Sequence, residues 1–113
     1  MTVRTMVASR LGAFQDIWDA WNESDDEIKA KPLRHFEVAV REQFREFDLH
    51  RRNGQKTRAA NEAVDIISIA LNLLRSQGYG PDEVAELVTA RARDRMQGKT
   101  GAILDKYRTR FGI

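Results

Sequence analysis

The stretch between Lys56 and Gln77 constrains the fold more than any other part of the chain. On a helix that turns by about 100° per residue, its apolar side chains cover well over half of the circumference. These apolar residues are Ala59, Ala63, Ile66, Ile67, Ile69, Ala70, Leu71, Leu73 and Leu74. So wide an apolar surface is typical of a helix surrounded by others, so the stretch predicts a central, buried helix.

The rest of the chain also reads as helix, with no strand-like alternation. Apolar residues at helical spacing predict an N-terminal helix along the seam Val7, Leu11, Phe14, Trp18 and Trp21. Further helices are predicted from Pro32 to Arg52, from Pro81 to Gln97 and over a last piece between Ile103 and Phe111, with Gly78 capping the central helix. The 113 residues therefore predict one all-α domain, residues 1–113, of four to five helices.

Composition limits the classes of function. The chain has no cysteine, which excludes a disulfide framework, a thiolate zinc site and a cysteine nucleophile. The formal net charge of +2 does not favour a nucleic-acid partner. No apolar run approaches the length of about 18 residues that a membrane span needs, and no signal-peptide pattern precedes the first helix. We expect a soluble, cytoplasmic protein without a membrane partner.

Two acidic motifs lie on consecutive predicted helices. The first is Glu42-Gln43-x-x-Glu46 and the second is Glu62-x-x-Asp65. Residues three or four apart share a helix face, so two antiparallel helices can bring these side chains together. Like charges held this close need a raised pKa or a cation, and Mg²⁺ prefers oxygen ligands. The pattern predicts a divalent-metal site that carries phosphate.

Two of these acids allow a second interpretation. Glu62 lies on the apolar side of its helix, where a buried arginine is an alternative partner to a metal ion. Glu42 points nearly opposite to the apolar stripe of its helix, so it is either a metal ligand or a solvated surface acid. Both alternatives stay open at the level of sequence.

At these residues the chain resembles the all-α nucleoside triphosphate pyrophosphohydrolases, the MazG-like superfamily. That family carries Glu-Glu-x-x-Glu on one helix and Glu-x-x-Asp on the next, and the resemblance covers about residues 33–97. It implies hydrolysis of a nucleoside or deoxynucleoside triphosphate to a monophosphate and pyrophosphate, with Mg²⁺ or Mn²⁺ as cofactor and a dimer or dimer of dimers as assembly. It also implies catalytic roles for Glu42, Glu46, Glu62 and Asp65, and metal ligation by the same four residues and Gln43. Gln43 departs from the family's glutamate.

Cations and aromatic residues add less specific predictions. Arg58, Arg91, Arg95 and Lys99 are candidate ligands of the substrate phosphates, although a solvated basic surface is the simpler interpretation of such residues. His35 and His50 are interpreted as surface histidines. Trp18 and Trp21 can stack a base, but their positions in an apolar seam favour packing.

Three functions compete at this stage. The leading one is a Mg²⁺-dependent nucleotide pyrophosphohydrolase. The alternative is a MazG-like helical interaction module that has lost activity, which Gln43 permits. A nucleic-acid-binding protein that uses the basic C-terminal residues is the weakest of the three, because the net charge is small.

Overall fold

The structure, a computed structural model, describes residues 10–113, and this part of the chain is helical without a strand. It contains α1 (Phe14–Ala20), α2 (Asp25–Lys29), α3 (Leu33–Arg52), α4 (Lys56–Ser76), α5 (Pro81–Arg91) and α6 (Thr100–Phe111). A 3₁₀ turn, Trp21–Ser24, joins α1 to α2, and a π-helical segment, Ala92–Met96, follows α5. The all-α prediction is confirmed. Among the described helices, none is long and apolar enough to cross a membrane.

The N-terminal helix is shorter than its apolar seam predicts. Leu11 lies in a turn before α1, and Val7 lies outside the described residues. Gly12 explains the late start, because its φ of +56° is left-handed and interrupts a right-handed helix. Leu11 is nevertheless buried, and it packs in a small core with Trp18, Leu71 and Val84. The apolar spacing therefore identified Leu11 and Trp18 as core residues, whereas Phe14 and Trp21 are exposed and the helix is shorter than predicted.

Helices α3 and α4 form the main body of the fold. They are joined by the short turn at Asn53–Gln55 and pack against each other along their length. The C-terminal end of α4 is closed by Gly78, whose φ of +93° is left-handed. The N–H of Gly78 donates to the carbonyl of Arg75, and the N–H of Tyr79 donates to that of Leu74, which is the Schellman arrangement. The predicted role of Gly78 is confirmed.

The prediction that α4 is central and buried holds for only part of its apolar surface in residues 10–113. Its side towards α1, α2 and α3 is covered, but Val64 is 48% exposed and Ile67 is also exposed. Helix α5 reaches only the C-terminal end of α4, where Val84 and Ala85 join the core around Leu71. Within residues 10–113, one face of the central helix is thus left uncovered.

The C-terminal third extends away from this body. The predicted helix Pro81–Gln97 changes at Ala92 from α-helical to π-helical hydrogen bonding, and the N–H of Gln97 donates to the carbonyl of Ala92. In α6, Leu104 is 60% exposed, and Tyr107 and Phe111 are also exposed. The radius of gyration is 16.8 Å, whereas a compact domain of 100 residues has about 13 Å. The described chain is therefore elongated.

Candidate functional site

The acidic residues meet across the α3–α4 hairpin, and Glu62 is the most enclosed of them. Its side chain is 13% exposed, and its Oε2 atom is buried without a hydrogen-bond partner among the described residues. No arginine forms an ion pair with Glu62 in residues 10–113, so the alternative of a buried Arg–Glu pair is not what the structure has there. A carboxylate with an unpaired buried oxygen is costly unless a proton or a cation compensates it.

The surroundings of Glu62 raise the pKa of its carboxyl group. Burial is the largest cause, followed by hydrogen bonding with Glu46 and by the negative charges of Glu46 and Asp65. His50 acts in the opposite direction. The structure thus brings Glu46, Glu62 and Asp65 close enough to interact electrically, and we call these three residues the carboxylate group. Their mutual repulsion is what a bound cation would relieve.

His50 belongs to this site, although a surface histidine was the preferred interpretation of its sequence position. Its Nε2 lies 3.7 Å from Oε1 of Glu62, and its Nδ1 lies 3.0 Å from Oε1 of Gln55. With Nδ1 as the donor to this oxygen, Nε2 is the ring nitrogen that faces Glu62. The available signal was spacing, since His50 follows Glu46 by four residues on one helix face.

Gln43 lies on the same inner side of α3. Its Oε1 atom is buried and has no hydrogen-bond partner among the described residues. Gln43 and Asp65 line one pocket between α3 and α4. A second unpaired oxygen, this one without charge, therefore lies on the pocket side of the carboxylate group.

Glu42 is turned to the outside of α3. Its carboxylate accepts hydrogen bonds from Arg45, whose Nη2 lies 2.6 Å from Oε1 and whose Nε lies 3.0 Å from Oε2. This arginine is the main reason that the pKa of Glu42 is lowered. Of the two interpretations that the sequence left open, the structure has the exposed, paired surface acid.

The donor atoms suit a hard divalent cation in part. Carboxylate and amide oxygens are ligands that Mg²⁺ accepts, and two such oxygens, Glu62 Oε2 and Gln43 Oε1, are buried and unpaired. Yet in residues 10–113 no three Asp, Glu or His side chains converge closely enough to hold a metal ion by themselves. The residues fit a site that keeps water or phosphate oxygens among its ligands, as Mg²⁺ sites commonly do.

The four predicted phosphate-binding cations are not gathered at the carboxylate group. Arg58 is exposed on the first turn of α4, and Arg91 is exposed at the end of α5. Arg95 lies in the π-helical segment, and Lys99 donates to the backbone carbonyl of Asp94. Within the described chain, none of the four forms an ion pair with Glu46, Glu62 or Asp65.

Two cavities lie beside Gln43, and one of them also has Asp65 of the carboxylate group in its lining. The first, which we call the tryptophan pocket, has a volume of about 250 Å³, and its lining includes Trp21, Phe36, Gln43, Asp65, Ser68 and Asn72. The second is an open groove of about 610 Å³, lined by residues that include Arg34, Glu42 and Gln43. Arg34 is a cation that the sequence did not single out. Gln43 lines both cavities.

Comparisons of the chain with protein-family models, with curated proteins and with solved structures give no match. The resemblance to the MazG-like superfamily consequently depends on the two acidic motifs and their placement alone.

Proposed function

We propose that the protein is a Mg²⁺-dependent nucleoside triphosphate pyrophosphohydrolase that converts its substrate to a nucleoside monophosphate and pyrophosphate. The observation that carries the proposal is Glu62, a nearly buried carboxylate with an unpaired oxygen and acidic neighbours. A helical protein gains no stability from such a group by itself, whereas a cation-dependent phosphate site requires it.

The roles of the residues follow from their places around the hairpin. Glu46, Glu62 and Asp65 would hold the metal, and Gln43 would contribute a neutral oxygen from the pocket side. When bound, Mg²⁺, or Mn²⁺ in its place, would offset the charge of the triphosphate and favour ionisation of water. Water attacks the α-phosphorus, the bond to the bridging oxygen breaks, and pyrophosphate leaves. We assign His50, whose Nε2 lies 3.7 Å from Oε1 of Glu62, as the group that accepts the proton of the water.

Phosphate binding in this proposal involves a second copy of the chain. Arg34 lines the groove beside Gln43 and is the cation that one chain supplies there. Arg91, Arg95 and Lys99 lie on the extended C-terminal third, which makes little contact with α3. We infer that they contribute from a neighbouring subunit.

Exposed apolar surface supports the same assembly. Phe44 on α3 is 60% exposed, Val64 and Ile67 on α4 are uncovered, and Leu104 on α6 is exposed as well. Apolar residues in these numbers on an elongated chain are typical of an interface between subunits. A homodimer or a dimer of dimers is therefore part of the proposal, as is a cytoplasmic location, where nucleoside triphosphates and Mg²⁺ are both available.

One observation favours the alternative of a helical interaction module without activity. Gln43 replaces an acid, and no three acidic or histidine side chains of the described chain converge into a complete ligand set. The exposed apolar faces fit this alternative equally well.

An assay of pyrophosphate release separates the two functions. The common ribo- and deoxyribonucleoside triphosphates are tested with Mg²⁺, with Mn²⁺ and with a chelator, and monophosphate formation is measured in parallel. We expect metal-dependent release from at least one nucleotide, and we expect Glu62→Gln to remove it. Glu37→Gln is the matched control, because Glu37 is an exposed acid of α3 that pairs with Arg41. Inactivity of the unmodified protein with every nucleotide and both metals would contradict the proposed function.

A further inference from the structure

The tryptophan pocket lies beside the carboxylate group but has different chemistry. Its volume is about 250 Å³, which is less than the 300 Å³ or so at the lower end of pockets that enclose a drug-sized ligand. It therefore has room for one ring system and not for a whole nucleoside triphosphate. Aromatic and aliphatic walls from Trp21, Ile28, Phe36 and Ile69 enclose it, with amide, hydroxyl and carboxylate groups between them.

Trp21 is held at this pocket by a specific hydrogen bond. Its Nε1–H donates to Oγ of Ser68 on α4 at 2.9 Å. The bond fixes the plane of the indole while the ring stays partly exposed. A packing tryptophan would instead be buried, as Trp18 is beneath the guanidinium of Arg75. The two tryptophans of the chain thus have different surroundings, although the sequence placed them in the same seam.

Asn72 supplies the second independent observation. It is 4% exposed as a residue and lines the pocket. An amide at the wall of a pocket can form hydrogen bonds with a ligand that enters it. A primary amide offers an acceptor and two donors together, which matches the polar edge of a heterocyclic base.

We propose that the tryptophan pocket binds the base of a nucleotide, with the base stacked on the indole of Trp21 and its polar edge read by the amide of Asn72. Asp65, which belongs to the carboxylate group, lines the tryptophan pocket, and Gln43 lines both this pocket and the groove. The base therefore lies in the tryptophan pocket, while the phosphates extend towards the carboxylate group and the groove. The position of the phosphates rests on the proposed function, whereas base binding can be measured without catalysis.

The direct test is tryptophan fluorescence of the full chain titrated with the nucleoside 5′-monophosphates, and with ribose 5-phosphate as the ligand that lacks a base. We expect saturable quenching by at least one nucleotide, with binding at least about tenfold tighter than that of ribose 5-phosphate, which is within the range that base stacking contributes. Equal binding of ribose 5-phosphate and all the nucleotides, or no quenching by any of them at millimolar concentration, would overturn the proposal.

Variants assign the signal to the pocket, and calorimetry measures their binding. Trp21→Ala should weaken binding of the preferred nucleotide about tenfold or more. Phe14→Ala is the matched control, since Phe14 is an exposed aromatic residue of α1 that does not line the pocket. Asn72→Leu keeps the volume of the side chain and removes its hydrogen bonds, so it should reduce the preference between bases about tenfold while the melting temperature changes little. Unchanged binding and preference in both variants would contradict the assignment.

The same measurements keep this proposal distinct from the proposed function. Glu62→Gln should still bind the nucleoside monophosphate while it releases no pyrophosphate. If the unmodified protein binds bases but hydrolyses no triphosphate, the pocket assignment stands and the enzymatic function fails. If triphosphates are hydrolysed while Trp21→Ala and Asn72→Leu leave KM and base preference unchanged, the enzymatic function stands and the pocket assignment fails.

Discussion

Helix α4 carries an enclosed charged side chain near each end, and the two differ in how far the surrounding residues compensate their charge. At its C-terminal end Arg75, 3% exposed, donates to Oδ1 of Asn22, to Oδ1 of Asp25 and to the backbone carbonyl of Trp18, and its guanidinium lies 4.1 Å from the centre of the Trp18 ring. Only its Nε is buried and unpaired. Near the other end Glu62 has an unpaired oxygen and acidic neighbours. The first arrangement is complete within one chain, and the second calls for something outside it.

This difference separates structural from functional charge. The Arg75 cluster ties α1, the 3₁₀ turn and α2 onto the end of α4, so its charge stabilises the fold. Among the described residues, Glu62 has a long contact with His50 and the acidic neighbours Glu46 and Asp65, so its charge destabilises the protein until a cation or proton is bound. Changes at the two positions should therefore have opposite effects on stability.

The largest effect is expected at Arg75. Arg75→Met removes three hydrogen bonds and the contact with the Trp18 ring, and breaking a buried charge pair in this way lowers the free energy of unfolding by about 3 kcal/mol or more. Urea unfolding measures it. Arg41→Met is the control, because Arg41 forms an exposed pair with Glu37 and such pairs contribute about 1 kcal/mol at most. Similar losses in the two variants would remove the contrast between the ends of α4.

Glu62→Gln should act in the opposite direction on stability and strongly on activity. Without metal, the neutral amide is less costly to enclose than a carboxylate, so the melting temperature should be equal to or higher than that of the unmodified protein. Metal-dependent pyrophosphate release should fall about a hundredfold or more, as expected when a ligand of a catalytic metal is removed. A lower melting temperature in metal-free buffer would mean that Glu62 stabilises the fold as Arg75 does.

These contrasts also show what a sequence can predict. Apolar spacing and capping residues predicted α3, α4, α5 and the glycine at the end of α4, because those signals are local. The partner of Glu62 was not predictable, since His50 reaches it only through the register of two helices across a turn. The burial of Arg75 was not predictable either, because its partners come from residues about fifty positions away.

Some differences between the predicted and the observed structure have no cause in the local sequence. The exposed face of α4 was predicted as buried because its amino acids are apolar, and the described chain supplies nothing to cover it. No signal in the local sequence predicts the change to π-helical bonding at Ala92–Met96. Trp18 and Trp21 share one apolar spacing, and their partners distinguish them. Arg75 covers the buried ring of Trp18, whereas Ser68 holds Trp21 at the wall of the pocket.

A pH series sharpens the comparison with a smaller expected effect. The pKa of Glu62 is raised above its ordinary value of 4.5. Between the ordinary pKa and the raised pKa of the folded protein, the folded state binds more protons than the unfolded state. The contribution of Glu62 to the free energy of unfolding therefore falls as pH rises through this range and stays low above it. The melting temperature of Glu62→Gln minus that of the unmodified protein should therefore shrink as pH falls from about 8 to about 5 in metal-free buffer.

The stability contribution of Asp25 should depend on pH in the opposite direction to that of Glu62. Hydrogen bonds from Lys29 and Arg75 lower its pKa below 3.8, so its stabilising contribution is present above that value and is lost as pH falls through its folded pKa. Asp25→Asn should consequently approach the unmodified protein in stability only in more acidic buffer. If the melting-temperature difference between Glu62→Gln and the unmodified protein grew as pH fell, the pKa of Glu62 would not be raised.

The smallest effects are expected on the outer side of α3. Glu42→Ala breaks an exposed pair with Arg45, so activity should remain within about twofold and stability within about 1 kcal/mol. Gln43→Glu adds a charge at a buried oxygen position, so it should lower the metal-free melting temperature and tighten Mg²⁺ binding. Loss of activity in Glu42→Ala would instead make Glu42 a ligand that leaves Arg45 when metal binds.

The most direct test of the central claim is the melting temperature of the unmodified protein and of Glu62→Gln, each with and without millimolar Mg²⁺ in calorimetric scans. A cation that binds only the folded state adds about 2.7 kcal/mol at a hundredfold excess over Kd. Mg²⁺ should raise the melting temperature of the unmodified protein by several degrees or more. The melting temperature of Glu62→Gln, which is the more stable form without metal, should stay almost unchanged. An equal response of the two proteins, or none in the unmodified protein with Mg²⁺ or Mn²⁺, would contradict the central claim.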